Sequence, residues 1–130
     1  MRDLPVTQPQ PSGLPTIDVH EADRRRREAS PPPLVVDVRE LNEFEAVRLE
    51  SDVALVPMSQ FQQRWEELPR DRPLLMMCAG GGRSAAATAF LMRNGYTDVA
   101  NVAGGINDWQ RQGLPVKTGP VAPGEGELGA

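Results

Sequence analysis

One cysteine, one histidine and no long apolar run are what this 130-residue chain has least of, and each scarcity removes a class of function. A single cysteine, Cys78, cannot close an internal disulfide, which fits a reducing compartment. With His20 as the lone histidine, a zinc site lacks its ligands, and no metal is expected. A Cys–His dyad would have to recruit His20, which stands in Asp18-Val-His20-Glu21 at a helix start, in an exposed capping-box context. No apolar stretch approaches a membrane span, and Met1-Arg-Asp-Leu-Pro5 lacks a signal-peptide core. There is no basic excess: 14 Lys and Arg against 18 Asp and Glu give a net charge of −4, which does not support nucleic-acid binding. The expectation is a cytoplasmic protein of one domain, with neither membrane nor nucleic acid as partner.

Against these absences, Leu74-Leu-Met-Met-Cys78-Ala-Gly-Gly-Gly-Arg83-Ser84 stands out. An apolar strand delivers the thiol into three glycines, followed by an arginine and an alanine-rich helix expected from Ser84 to Asn94. A thiol at a helix N-terminus faces unpaired backbone N–H groups and the positive end of the dipole. Such surroundings lower its pKa, and the thiolate is the nucleophile. Without Cβ atoms, Gly80, Gly81 and Gly82 can take positive φ and turn successive N–H groups inward as an anion-binding nest. Arg83, separated from Cys78 by only four residues, is expected near whatever the sulfur binds. Ser84 is expected to cap its helix or the loop carbonyls, with donation to a substrate as its second role.

The rest of the chain alternates short apolar runs with helical patterns. Residues 1–13 read as a flexible leader and 119–130 as a flexible tail, leaving one domain over 14–118. Thr16-Ile17 reads as an edge strand, and Asp18 with Glu21 caps a helix to about Ala29 that Pro31 to Pro33 end. Leu34–Val38 and Leu74–Cys78 have the continuous apolar pattern of buried parallel strands, with Val53–Val56 and Val99–Val102 as weaker partners. Ser59 and Gln62 form a second capping box before Phe61, Trp65 and Leu68 on one helix face. Asn94-Gly95 and Gly113 stop the last two helices. The pattern predicts an α/β fold, a three-layer sandwich with a central, mainly parallel sheet and helices on both faces.

Ligands of such sheets bind at the carboxyl ends of strands, where Cys78 stands. Asp37, near the end of its own strand, is placed on the same rim as a supporting residue, chiefly as a hydrogen-bond anchor. Arg24 to Arg27, flanked by Asp23 and Glu28, reads as a solvated helix face. Trp65 and Trp109 read as core, and Met76 and Met77 as strand interior.

Cys78-Ala-Gly-Gly81-Gly-Arg83-Ser84 resembles the Cys-x-x-Gly-x-Arg-Ser/Thr active-site loop of rhodanese-like sulfurtransferases, the single-domain thiosulfate sulfurtransferases among them. Leu34-Val-Val-Asp37-Val-Arg39-Glu40 with Glu43-Phe44 is similar to the family's Asp-Val-Arg-Glu segment, and Gly104-Gly105-Ile106 with Trp109 to its Gly-Gly-x-x-x-Trp segment. The likeness runs from about Leu14 to Lys117. It departs at Val47-Arg48-Leu49, where many members carry Gly-His-Ile, and at Ala79, where a polar or basic residue is common.

The resemblance implies a sulfurtransferase working through a Cys78 persulfide, with no cofactor. The donor would be thiosulfate or a persulfide, and the acceptor cyanide, a thiol or a protein. Ala79, Gly80, Gly81, Gly82 and Ser84 would bind the persulfide, and Arg83 would orient the donor by paired hydrogen bonds. A sulfur carrier or interaction module on the same fold is the alternative. A cysteine phosphatase is disfavoured because its loop is Cys-x5-Arg and this one is Cys-x4-Arg. Dinucleotide binding through Gly80-x-Gly82-x-x-Ala85 is disfavoured because Val99–Val102 carries no ribose-binding acid.

Overall fold

Apolar runs without alternation need cover on both faces, and here they form the middle of one sheet. The computed structural model describes residues 8–9 and 13–128. Its first half runs β1 (Gln8–Pro9), β2 (Pro15–Ile17), α1 (Val19–Glu28), β3 (Leu34–Asp37), α2 (Leu41–Ala46), β4 (Arg48–Leu49) and β5 (Val53–Leu55). The second half runs α3 (Met58–Arg64) with a 3-10 turn at Trp65–Glu67, β6 (Leu74–Met77), α4 (Gly82–Arg93), β7 (Val99–Val102), α5 (Gly105–Arg111) and β8 (Val116–Lys117).

The main sheet has the order β1-β2-β7-β6-β3-β5. All of its pairings are parallel except that of β1 with β2. Thr16-Ile17, expected at the edge, therefore lies one strand in. Strand residues alternate between two cores. Leu34, Val36, Leu74 and Met76 pack with Phe61 of α3 and Ala87 and Leu91 of α4. Val35, Leu75 and Met77 pack with Ala22 of α1 and Ile106 and Trp109 of α5. The result is the three-layer α/β sandwich with a mainly parallel sheet that the pattern predicts.

Helix starts differ in how far they follow the sequence pattern. The Asp18 carboxylate accepts the Glu21 N–H at 2.8 Å and starts α1 as expected. The Ser59–Gln62 box does not form. Pro57 precedes the first turn of α3, and the Ser59 N–H and hydroxyl donate instead to the Glu40 carboxylate, at 3.1 and 2.7 Å. Helix α4 begins at Gly82, two residues before the expected start, because Gly81 at φ 111° already turns the chain into it. Helix α2, which no apolar periodicity marks, is opened by reciprocal bonds between Glu40 and Glu43.

Two segments are less solvated than their composition suggested. Arg26 is nearly covered, with its guanidinium donating to the Ser51 carbonyl and lying 5.6 Å from the Trp109 ring centre. The others of that run are on the solvated side of α1, where Arg24 and Arg27 pair with Glu21 and Asp23. Residues 119–128, expected as a flexible tail, lie against the domain. Arg48, 1% exposed, directs its fork to Glu125 at 2.6 and 3.1 Å, and the Gly126 carbonyl accepts the Leu55 N–H at 2.7 Å. A cleft of about 500 Å³ beneath this segment, bounded by Leu34, Asp52, Glu67, Arg72 and Leu128, sits at the amino ends of β3 and β5. It faces away from the thiol. Of the leader, all but residues 8, 9 and 13 falls outside the described residues.

Candidate active site

β6 carries its backbone straight to Cys78, whose side chain is 1% exposed at the carboxyl end of the sheet. Three groups donate to its sulfur: the Gly81 N–H at 3.1 Å, the Ser84 N–H at 3.4 Å and the Ser84 hydroxyl at 3.3 Å. Ser84 is fully buried, so its hydroxyl serves the sulfur where a helix cap was expected. Only Gly81 of the three loop glycines takes positive φ. Its carbonyl is held from behind by the Asn101 side-chain amide at 3.2 Å.

The loop is braced by the start of α5. The first-turn N–H groups of Ile106 and Asn107, which have no partner within their own helix, donate to the carbonyls of Cys78 and Ala79 at 2.9 and 3.0 Å. In a trans peptide the N–H points opposite to its carbonyl, so fixing the Ala79 carbonyl outward turns the Gly80 N–H, one of the groups that lower the Cys78 pKa, toward the sulfur. Gly105 makes this approach possible. A Cβ there would stand 2.2 Å from the Cys78 carbonyl oxygen, and its φ is +53°.

Burial of Cys78 favours the neutral thiol. The Ser84 hydroxyl and the N–H groups of Ser84, Gly81 and Gly80 outweigh it and hold the pKa below the ordinary thiol value.

The arginine is not free to face a ligand with both arms. Its two terminal nitrogens bind the two oxygens of Glu43 at 2.8 and 2.9 Å. This bidentate partner pulls Glu43 down to about 2 against the cost of its partial burial, with a backbone bond from Glu40 helping, and raises Arg83. Arg83 also feels the field of Cys78 and Asp37.

Asp37 lies deeper than the rim position expected of it. It is fully buried and accepts from Arg39 at 2.8 to 3.2 Å through the guanidinium, and at 3.0 Å from the Arg39 backbone. Arg39 in turn donates to the carbonyls of Glu43 and Val47, the two ends of the turn that presents Glu43. The layers run from Asp37 through Arg39 and Glu43 to Arg83. His20 is elsewhere, bonded to Gln112 at 3.1 Å on the surface.

The structure thus brings Cys78, the glycine loop, Arg83 and Ser84 together, and sets Asp37 behind them. It adds Glu43, Asn101 and Gly105, which the sequence reading did not assign to the site. Glu43 had a visible signal in its spacing of three from Glu40.

A mainly parallel α/β sandwich presenting one thiol in an N–H-lined loop at a strand end defines the class: a thiolate-loop domain. The chain belongs to the rhodanese-like domain family, whose pattern matches residues 18–112. It is similar to a sulfurtransferase of Allochromatium vinosum, 41% identical over 90 residues that cover 69% of this chain and 79% of that one. It is also similar to the thiosulfate sulfurtransferase GlpE of Actinobacillus succinogenes, 34% identical over 65% of this chain and 76% of that one. Among solved structures, a rhodanese-related protein of Thermoplasma volcanium superposes with a TM-score of 0.70 at 31% identity, covering 78% of this chain and 96% of that one. Among the described residues, no helix is long and apolar enough to cross a membrane.

Proposed function

We propose that this chain is a sulfurtransferase that carries a sulfane sulfur on Cys78. The observation that supports it most is the convergence of the Gly81 N–H, the Ser84 N–H and the Ser84 hydroxyl on one sulfur whose pKa is lowered. The thiolate attacks the outer sulfur of thiosulfate, the S–S bond of the donor breaks, and its electron pair leaves with sulfite. The product is a Cys78 persulfide anion. The donors that hold the thiolate, with the inward N–H of Gly80, then stabilise the persulfide's charge as an oxyanion hole does for oxygen. Cyanide, a thiolate or a protein thiol attacks the terminal sulfur and the Cys78 thiolate returns. Charge balances in both steps, so the cycle needs no redox partner.

Thiosulfate, in the name of the Actinobacillus relative, is the donor to test first. A reduced, unpaired thiol suits a cytoplasmic setting with a small thiol or protein as acceptor. Phosphoryl transfer is less well supported, because the arginine that would clamp a phosphoryl group has both arms on Glu43.

The test is a thiosulfate-to-cyanide assay with intact-mass analysis. The expected result is a one-sulfur mass gain and thiocyanate production that Cys78→Ser abolishes. Full turnover by the serine variant overturns the mechanism. A stable persulfide without turnover favours a carrier for a protein acceptor.

A further inference from the structure

The two arginines behind and beside the loop each already have a carboxylate. Arg39 is paired with Asp37 and buried. Arg83 is paired with Glu43 nearer the surface, with side chains 38% and 31% exposed. Glu43 is held in that position by more than the arginine. Its Oε1 also accepts the Glu40 N–H at 3.0 Å, and its own carbonyl accepts from Arg39 at 3.1 Å. A bidentate guanidinium–carboxylate pair is strong and geometrically fixed, and taken as a unit it is neutral.

That neutrality matters for the donor. Thiosulfate brings two negative charges toward a thiolate, and like charges at close range repel unless a cation offsets them. A free Arg83 would supply that cation and a fork for the sulfonate oxygens. A persulfide carried on a thiol has no sulfonate and, in its protonated form, no charge. It needs only the neutral N–H and hydroxyl donors that already surround Cys78.

We propose that Glu43 is a specificity residue: by occupying the Arg83 fork it turns the site away from doubly charged thiosulfate and toward a thiol persulfide as sulfur donor. The inference deepens the sulfur-transfer reading and rests on it. The Cys78 thiolate attacks the outer sulfur of R–S–SH, the donor S–S bond breaks, and the electron pair leaves on the donor thiolate. Cys78 keeps the sulfur and its proton as Cys–S–SH, so atoms and charge balance without an oxidant or reductant.

The decisive variant is Glu43→Gln. Glutamine keeps the volume and one acceptor for the Glu40 N–H, and removes the charge that holds Arg83. Single-turnover loading of Cys78 is read by intact mass with thiosulfate and with glutathione persulfide. The ratio of the thiosulfate to the persulfide rate is expected to rise about tenfold in the variant, the effect of one released charge-assisted hydrogen-bonding group. A second readout does not depend on sulfur transfer. Iodoacetate and iodoacetamide alkylate the same thiolate and differ in charge, so their rate ratio at Cys78 reports the local field. That ratio must rise in Glu43→Gln and fall in Arg83→Gln, which leaves Glu43 unpaired. Loss of structure alone does not move two variants in opposite directions. If neither donor loads Cys78, the sulfur-transfer reading fails and the donor assignment with it, whatever the alkylation ratios show about the field. If both donors load and neither ratio moves, Glu43 does not select the donor.

Discussion

Replacing Ser84 with alanine removes one of the three donors to the Cys78 sulfur and leaves the backbone ones in place, the Gly81 N–H at 3.1 Å and the Ser84 N–H at 3.4 Å. The lost hydroxyl stands 3.3 Å from the sulfur in a fully buried position. A hydrogen bond to a charged group is worth about 1.5 to 3 kcal/mol, and a diffuse sulfur anion places this one near the lower end. About 1.4 kcal/mol moves the thiol titration up by about one pH unit and cuts the thiolate fraction about tenfold below the midpoint. The more basic thiolate is also a better nucleophile, with a Brønsted slope of about 0.45, which returns a factor of about three. The expected alkylation profile for Ser84→Ala with iodoacetamide therefore crosses that of the parent protein. It runs about threefold slower at low pH and about threefold faster on the alkaline plateau. The sign for stability follows from the same bond. A depressed thiol pKa stabilises the fold above the unfolded thiol's pKa, and this contribution fades as pH falls through the folded value. The variant should lose stability at alkaline pH and little at acid pH. A profile that is slower at every pH, or a midpoint that does not move, refutes the account of how this sulfur is activated.

Other consequences are as direct. Gly105→Ala forces a Cβ to within 2.2 Å of the Cys78 carbonyl oxygen at φ +53°; we expect about 3 kcal/mol of destabilisation in denaturant unfolding, and a raised thiol pKa as the loop is displaced. Truncation after Thr118 leaves the buried Arg48 guanidinium without Glu125, and unfolding should show a loss of about 3 kcal/mol that Arg48→Met within the truncated chain partly restores. Glu125, like Glu43, is held at about 2, by Arg48 first among its partners, so its contribution is present above the ordinary carboxylate range and disappears as pH falls toward 2. Glu125→Gln should flatten that acid limb in thermal melts between pH 5 and 2; an unchanged limb would place the acid sensitivity elsewhere.

The strands and the thiol loop were legible because their signals are local. Leu74 to Met77 has to be buried on both faces whatever surrounds it, and glycines next to a cysteine between strand and helix define a turn by themselves. What escaped depends on residues far apart in sequence. Ser59 has the spacing of a capping box, yet the Glu40 carboxylate, 19 residues earlier, wins its hydroxyl and its N–H. Arg26 looks like its neighbours in a charged run, but it reaches the Ser51 carbonyl and the Trp109 ring. Arg48 stands where the resemblance departs from the common Gly-His-Ile, and the reason lies 77 residues away in Glu125. The partner of Arg83 was hidden in the same way. A sequence shows a guanidinium near a thiol; it does not show that a carboxylate 40 residues earlier has taken both of its arms.

That pairing changes how the activation of the sulfur is to be understood. A thiol can be ionised by a neighbouring cation or by oriented neutral donors, and the two have different consequences. A cation attracts any anion, is screened by salt when exposed, and stabilises the thiolate from outside. Oriented N–H and O–H groups act only within hydrogen-bond reach and are fixed by the fold before the sulfur is charged, so little reorganisation accompanies ionisation. Cys78 is 1% exposed, where ordinary salt screening is weak, and its hydrogen bonds come from three neutral groups. The loop between the sulfur and these groups is braced from outside: Asn101 on the Gly81 carbonyl, and the α5 N–H groups on the Cys78 and Ala79 carbonyls. The lowered pKa of the thiol therefore owes more to the sheet–loop–helix junction than to the charge of Arg83, which also reaches Cys78. On the proposal made above, the chief task of Arg83 and Glu43 is to govern which anion approaches.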